Sequence, residues 1–269
     1  MEAQLVETAI LNIINHQSLI ATKTARVVFA AAGDGVMEFG LRRAQGPDAG
    51  LYGARAAMIG GCIGTSNVLA GQMFDVPVKG THAHSWIMSF ADEYTAFKTY
   101  AKLYPDACCL LVDTYDTLKS GVPNAIKVFT EMRESGIELH NYGIRLDSGD
   151  LAYLSKKARK MLDEAGFEDA FISASNDLDE YLIHDLKIQG AAITSWGVGT
   201  NLITSKDCPS FGGVYKLAAI QKEDGKFHSK IKLSENTEKI TNPGNKTVYR
   251  IYDKATGKMR ADLICFADE

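Results

Sequence analysis

Two histidines, His82 and His84, lie one residue apart in the short segment Gly80–Ser85, which follows an apolar stretch of the chain. A helix presents two histidines to one metal ion when they have i, i+4 spacing, so this spacing does not suit a shared metal. Each histidine is then either a structural residue or a nucleophile or acid–base group in an active site. The spacing leaves both interpretations open.

A second segment, Arg145–Asp150, has the sequence Arg-Leu-Asp-Ser-Gly-Asp. The planar guanidinium of Arg145 can hold a carboxylate through two parallel hydrogen bonds. Asp147 and Asp150 flank the tight turn, where their carboxylates suit sugar hydroxyls or a Mg²⁺ ion held through water. The alternative is structural: the segment begins a helix, and Asp150 stabilises the helix N-terminus.

A third segment contains two glycines, Gly197 and Gly199, followed by Thr200, directly after an apolar stretch. Glycines allow backbone N–H groups to converge on an anion, and the threonine adds a hydroxyl donor. Hydrogen bonds to a charged group contribute about 1.5–3 kcal/mol each, which is enough for a phosphate anchor. A tight turn without a ligand has the same sequence pattern.

Other polar residues also have two interpretations. Ser175, Asn176 and Asp177 suit ribose or phosphate, and they also suit a helix cap. Asp113 ends an apolar stretch as either a catalytic or a turn residue, while Arg42 and Arg43 are either polyphosphate ligands or ordinary surface residues.

Short apolar stretches, most of them followed by a helical pattern, position these residues. Strands buried on both faces of a parallel sheet have this composition, so we expect an α/β fold. A β/α barrel is the first choice and an open doubly wound sheet the second. The expected strands are 36–40, 62–64, 76–80, 108–113, 143–146, 171–174, 191–196 and 214–220, and one long helix is expected over 86–103.

The polar residues fall at or just beyond the C-terminal ends of these expected strands. A β/α barrel assembles its active site at that end, from the loops that follow the strands. The residues in question are Arg42, Thr65, Thr81, Asp113, Arg145, Ser175 and Gly197.

The two ends of the chain differ from this pattern. Residues 2–32 read as a helix with a broad apolar face, which suggests that the chain begins in the middle of a fold. Residues 221–269 are rich in lysine and alternate in polarity, with a charged hairpin predicted at 222–228 and a strand at 247–252. We therefore expect a barrel over residues 1–220 and a β-rich segment of a second domain over 221–269.

The composition excludes several classes of protein. With 33 acidic and 29 basic residues, the formal net charge is −4, which argues against binding to nucleic acid. The five cysteines form no C-x-x-C pair, and we expect buried, reduced thiols. No apolar segment is long enough for a membrane and no leader opens the chain, so we expect a soluble, cytoplasmic protein.

Taken together, these motifs and their order resemble those of the nicotinate phosphoribosyltransferases. The resemblance extends over nearly the whole chain, from Glu2 into the β-rich tail. The motifs that carry it are 64–67, 80–85, 113–117, 145–151, 173–177, 197–200 and 212–217.

The resemblance implies a fold and an activity. Members of the family have the irregular β/α barrel of the type II phosphoribosyltransferases packed against a second domain, and they usually act as homodimers. They convert nicotinate and phosphoribosyl pyrophosphate, with Mg²⁺, into nicotinate mononucleotide and pyrophosphate. ATP hydrolysis is coupled to this reaction, which is the salvage entry into NAD synthesis.

The resemblance also implies roles for individual residues. His84 matches the histidine that ATP phosphorylates, Thr81 a threonine that touches nicotinate, and Arg145 the arginine that holds the nicotinate site. Thr200, with the glycines before it, matches the anchor of the phosphoribosyl phosphate. By extension, Asp147 and Asp150 are expected to be catalytic, and the remaining substrate-binding residues are Arg42, Ser175, Asn176, Gly197 and Gly199. No residue is assigned as a metal ligand.

One departure and three alternatives qualify this expectation. The family carries a ring-stacking tyrosine in a domain that precedes the present first residue, so we expect weak or absent activity unless another chain supplies it. A nicotinamide-specific relative would have an acidic residue near Ser66, which this chain lacks, and a phosphosugar isomerase or aldolase would not explain the histidine and arginine motifs. A non-catalytic remnant that binds phosphoribosyl ligands is the third alternative. The enzyme interpretation requires His84, Arg145 and Thr200 to meet at one mouth of the barrel.

Overall fold

The structure is a computed structural model that describes residues 2–210, 212–237 and 240–269. It contains two compact units, one formed by Asn12–Phe211 and the other by Met1–Leu11 with Gly212–Glu269. The division predicted after residue 220 therefore falls inside the second unit, close to its start.

The first unit is built on a six-stranded parallel sheet with the order β2–β1–β6–β5–β4–β3. The sheet curls so that the first strand pairs with the last, as neighbouring strands of a barrel do. The predicted α/β class is confirmed. The strands are β1 Gly35–Glu38, β2 Gly64–Thr65, β3 Cys108–Leu111, β4 Tyr142–Leu146, β5 Phe171–Ala174 and β6 Ser195–Val198.

Helices alternate with these strands, mostly where the apolar periodicity predicts them. The helix expected to begin at Trp86 is two helices, because Asp92 caps the second one by accepting a hydrogen bond from Thr95 N–H at 2.7 Å. The helices are α1 Glu2–Leu5, α2 Glu7–Ala31, α3 Pro47–Ile59, α4 Val68–Phe74, α5 His84–Met88, α6 Glu93–Leu103, α7 Val122–Glu134, α8 Leu151–Glu164, α9 Glu180–Ile188 and α10 Thr200–Ile203.

The wall of the barrel between β2 and β3 has no regular strand. The strand predicted at 76–80 is wrong, since only Val78 forms a parallel bridge, with Thr65. Farther along, the imidazole of His82 accepts a hydrogen bond from Leu111 N–H of β3 at 3.3 Å. A side chain thus replaces the backbone acceptor that a neighbouring strand would provide.

The core lies between the sheet and its surrounding helices. Its largest fully buried side chains include Trp196, Phe97, Phe129 and Phe167. All five cysteines are free thiols, as predicted, although only Cys62, Cys108 and Cys109 are buried. None of the helices in the described part of the chain combines the length and the apolarity that a membrane crossing requires.

The second unit contains two antiparallel hairpins, β7 Ala219–Gln221 with β8 Phe227–Ser229, and β9 Lys246–Tyr252 with β10 Met259–Phe266. The predicted charged hairpin and the strand at 247–252 are confirmed. The strand predicted at 214–220 is wrong over most of its length, because regular pairing begins only at Ala219.

Candidate active site

A polar cavity of about 200 Å³ lies at the C-terminal ends of β1, β4, β5 and β6. These strands are neighbours in the sheet, so the residues that follow them meet at one edge. The lining residues are Phe39, Arg42, Arg43, Arg145, Asp147, Ser175, Asn176, Asp177, Gly197, Gly199 and Thr200. Most of the substrate-binding residues expected from the sequence are among them.

Arg145, on β4, has its guanidinium held from three sides. Its Nε donates to Ser175 Oγ at 2.8 Å, Nη1 donates to Thr81 Oγ1 at 2.6 Å, and Nη2 donates to Asp147 Oδ1 at 3.2 Å. Each terminal nitrogen carries a second N–H, which remains for a ligand. The fixed orientation of the fork is what two-point recognition of a carboxylate requires.

Asp147 is the acidic partner in this arrangement, and it remains ionised. Burial opposes the charge, but hydrogen bonds from Ser175 and Arg145 and the positive charge of Arg145 outweigh that effect, so the pKa of Asp147 is lowered. The carboxylate thus offsets part of the arginine charge within the cavity.

His84 begins α5 beside this carboxylate, and 38% of its side chain is exposed. Its Nδ1 lies 3.0 Å from Thr114 Oγ1, and its Nε2 lies 3.5 Å from Asp147 Oδ2. Since Asp147 also binds Arg145, the histidine adjoins the cavity that Arg145 and Thr200 line. The three residues therefore lie at the same end of the sheet.

Asp113 connects the loops after β3 and β4. Its Oδ2 accepts hydrogen bonds from Asp147 N–H at 2.9 Å and from Ser148 Oγ at 2.5 Å. Its Oδ1 is buried, has no hydrogen-bond partner, and lies 3.9 Å from His84 Nε2. The residue thus has both a structural role in the turn and a position facing the histidine.

Comparison with known proteins identifies the family. The model of the "Nicotinate phosphoribosyltransferase (NAPRTase) family" matches residues 35–241. The chain belongs to the nicotinate phosphoribosyltransferase family. It is 58% identical over 269 residues to a nicotinate phosphoribosyltransferase of Bacillus subtilis (strain 168), an alignment that covers 100% of this chain and 54% of that protein.

Solved structures agree with this membership. The crystal structure of human nicotinic acid phosphoribosyltransferase has a TM-score of 0.79 and 31% identity, covering 99% of this chain and 59% of that one. A nicotinate-nucleotide pyrophosphorylase from Pyrococcus furiosus has a TM-score of 0.72 and 26% identity, covering 98% and 61%. The predicted irregular barrel of the type II phosphoribosyltransferases is therefore confirmed. The chain spans about half the length of the curated relatives it matches.

Three site residues named from the sequence lie apart from the cavity lining: His84, which adjoins it through Asp147, and also Asp150 and Thr81. Asp150 caps α8 by accepting a hydrogen bond from Tyr153 N–H at 2.9 Å, which is the structural alternative considered for it. Thr81 reaches the site only through its bond to Arg145. A catalytic role for Asp150 stays a prediction.

The structure adds Phe39 to the candidate residues of this family member. The guanidinium carbon of Arg145 lies 5.9 Å from the centre of its ring, and a Cβ on Gly197 would lie 2.6 Å from ring atoms. Gly197 therefore leaves room for an aromatic ring beside the arginine. Thr114, which contacts His84, is the second addition, while Arg43 and Asp177, both considered from the sequence, also line the cavity.

The glycine loop is fixed against its neighbours in the sheet. A Cβ on Gly199 would lie 3.1 Å from the carbonyl oxygen of Phe39, so the two backbones approach closely. Asn201 in the following turn of helix donates to the backbone carbonyls of Asp177 and Leu178 at 2.7 and 3.2 Å. These contacts hold the loops after β1, β5 and β6 together around the cavity.

Proposed function

We propose that this chain carries the phosphoribosyl-transfer site of a nicotinate phosphoribosyltransferase. The reaction joins nicotinate to the phosphoribosyl group of phosphoribosyl pyrophosphate and releases pyrophosphate. The observation that carries the proposal is the fixed guanidinium of Arg145 in a polar cavity that also contains Arg42, Arg43 and a glycine loop.

Arg145 is the proposed ligand of the nicotinate carboxylate. Binding an anion there offsets the arginine charge, and the fork orients the ring so that its nitrogen faces the ribose. The ring of Phe39, beside Arg145, offers an aromatic face to the pyridine. The same cation favours a carboxylate over the neutral amide of nicotinamide, which supports nicotinate as the substrate.

Arg42, Arg43 and the loop at Gly199–Thr200 are the proposed ligands of the phosphate groups. Within the part of the chain that the structure describes, neither arginine has an ion-pair partner, so both can bind an anion. Positive charge at the leaving pyrophosphate stabilises the transition state, in which negative charge moves onto that group. Ser175 and Asn176 line the same cavity and are proposed to contact the ribose or its phosphate.

The acidic residues of the cavity fit a Mg²⁺ ion that enters with the substrate. Among the described residues, no group of three or more His, Cys, Asp or Glu side chains forms a protein cage for a metal. Mg²⁺ is commonly bound by one or two carboxylates together with substrate phosphates and water. Asp147 and Asp177 line the cavity and would supply those carboxylates, and the ion would neutralise charge on the pyrophosphate.

His84 is the proposed acceptor of a phosphoryl group from ATP. Its exposed imidazole is oriented by Thr114 and faces Asp147, so a negatively charged phosphoryl group on it would act directly on the cavity. Coupled ATP hydrolysis through this residue, a homodimeric assembly and a cytoplasmic location belong to the same proposal. Size-exclusion chromatography with light scattering tests the dimer.

The direct test incubates the purified chain with nicotinate, phosphoribosyl pyrophosphate and Mg²⁺, with and without ATP, and detects nicotinate mononucleotide by mass. Calorimetric titration of nicotinate and nicotinamide separately measures binding by the same preparation. We expect nicotinate to bind more tightly, and Arg145→Lys to weaken its binding about 30-fold, because an ammonium cannot reproduce the two-point contact. Arg55→Lys, at an exposed position on α3, is the matched control and should bind normally.

The outcomes separate the alternatives. Binding of nicotinate without mononucleotide formation would indicate the non-catalytic remnant. Tighter binding of nicotinamide would contradict nicotinate as the substrate. Equal binding by Arg145→Lys and the parent chain would remove the observation on which the proposal depends.

A further inference from the structure

Glu38 is a fully buried carboxylate directly behind the turn that carries Arg42 and Arg43. It is the last residue of β1, its exposed fraction is 0%, and no described basic side chain forms an ion pair with it. Burying a carboxylate without a cation is costly, and burial raises the pKa of Glu38. Such a group requires an explanation in terms of the donors that it satisfies.

Two donors bind this carboxylate, one in the loop after β1 and one at the end of β2. One oxygen accepts a hydrogen bond from Gly40 N–H, and the other accepts one from Thr65 Oγ1 at 2.6 Å. Thr65 Oγ1 in turn accepts from Asn67 N–H at 3.0 Å, at the start of α4. Glu38 therefore joins the loop after β1 to the loop after β2.

Gly40 connects this hydrogen-bond network to the turn that carries Arg42 and Arg43. Its carbonyl oxygen accepts hydrogen bonds from Arg43 N–H at 2.8 Å and Ala44 N–H at 3.1 Å, which close the short 3₁₀ turn Leu41–Arg43. A Cβ on Gly40 would lie 2.3 Å from Cβ of Ile203 on α10, so the turn also packs against the helix that follows the glycine loop. The turn is thus fixed by Glu38 on one side and by α10 on the other.

We propose that Glu38 is a positioning residue that fixes the Arg42–Arg43 turn for binding a diphosphate. The inference deepens the proposed function, since it concerns the phosphate-binding half of the same site. Two arginines without carboxylate partners bind an anion most tightly when the backbone that carries them is already ordered, because binding then costs less conformational entropy. The buried carboxylate supplies that order without touching the ligand.

The test is a calorimetric titration of the full chain with inorganic pyrophosphate, which requires no turnover and no nicotinate. Glutamine at position 38 keeps the shape but offers only one acceptor. The Gly40 N–H cannot rotate away, so the amide NH₂ would face Thr65, and the Thr65 hydroxyl would lose the acceptor of its O–H. We expect Glu38→Gln to raise the dissociation constant for pyrophosphate about tenfold and that for nicotinate less than about twofold.

A double-mutant cycle separates positioning from general destabilisation. In a chain that already carries Arg42→Ala and Arg43→Ala, Glu38→Gln should weaken pyrophosphate binding no further. Glu93→Gln is the matched control, because Glu93 is also a buried carboxylate that binds two donors, Ser120 and Asn124, outside the cavity. It should leave pyrophosphate binding unchanged.

A second pair of variants applies if Glu38→Gln does not fold. Thr65→Val removes the hydroxyl that binds Glu38 and should weaken pyrophosphate binding, whereas Thr65→Ser should restore it. Any of three results would overturn the inference. These are additive effects in the double-mutant cycle, a loss of nicotinate binding equal to that of pyrophosphate, and no pyrophosphate binding by the parent chain. Failure to form mononucleotide, with the cycle intact, would count against the proposed function alone.

Discussion

The wall of the barrel around His82 and the mouth of the barrel around His84 use the same residue type in opposite ways. His82 is 8% exposed, packs edge-on against Tyr100 with ring centres 4.6 Å apart, and accepts a hydrogen bond from Leu111 N–H. His84 is 38% exposed and faces Asp147. The imidazole of His82 accepts a backbone hydrogen bond at the edge of the sheet, whereas the imidazole of His84 is accessible to a substrate.

The difference shows that the surroundings of each histidine, rather than its residue type, determine what it can do. Burial lowers the pKa of His82 to about 4, so its ring stays neutral near pH 7 and keeps the lone pair that accepts the Leu111 N–H. A group held in that way is unsuited to accept a phosphoryl group. The exposed ring next to an ionised carboxylate and the Thr114 hydroxyl is the suitable one.

The two histidines should differ most strongly in their phosphorylation by ATP. Incubation with γ-labelled ATP and Mg²⁺ should place phosphate on the parent chain and on His82→Gln, and none on His84→Ala. The readout is label per folded molecule, followed by mass mapping of the modified residue. Label that persists in His84→Ala would assign the phosphoryl acceptor to another residue.

The two histidines should also differ in their contribution to the free energy of unfolding. His82→Ala removes a buried ring and leaves the Leu111 N–H without its acceptor, so the free energy of unfolding should fall by about 3 kcal/mol. His84→Ala should change it by less than about 1 kcal/mol, because that ring is partly exposed. Urea denaturation followed by circular dichroism measures both, and equal losses would mean that the two sites do not differ as described.

The burial of His82 should also make the stability of the chain depend on pH. The pKa of His82 is lowered from 6.5 to about 4 in the folded chain, so between these values the unfolded chain binds more protons. Stability from this residue is therefore complete above the unfolded pKa and is lost as the pH falls toward the folded value. Relative to His82→Gln, the parent chain should lose about 2 kcal/mol between pH 7 and pH 5. Parallel pH profiles for the two chains would show that folding does not shift the pKa of His82.

Much of the sheet follows from the sequence because its strands are short apolar segments with polar residues at their ends. The strand expected at 76–80 fails for a local reason: Pro77 has no N–H, so the segment can form only the isolated bridge at Val78. The helix expected over 86–103 fails because Asp92 supplies a cap in its middle, a signal that was visible as Asp-x-x-Thr.

The site is less predictable, because it depends on which strands become neighbours. Arg145 and Ser175 are identifiable as strand-end residues, but their mutual hydrogen bond requires β4 and β5 to pair in register, Arg145 opposite Ser173. Phe39 enters the site only because β1 pairs with β6, far away in the chain, where Gly197 leaves space for its ring. No local pattern specifies that pairing.

A smaller effect is expected from Thr114, whose hydroxyl orients the ring of His84. Thr114→Val keeps the size of the side chain and removes the hydroxyl that lies 3.0 Å from His84 Nδ1, so the ring loses one of the contacts that orient it. Phosphorylation of His84 should slow about fivefold, the loss expected for one hydrogen bond, while the unfolding free energy stays nearly constant. Thr99→Val, which removes a hydroxyl bonded only within α6, is the control and should not slow labelling. An unchanged rate in Thr114→Val would mean that the carboxylate of Asp147 alone orients the ring, and the contrast between wall and mouth would then depend on exposure and charge without the threonine.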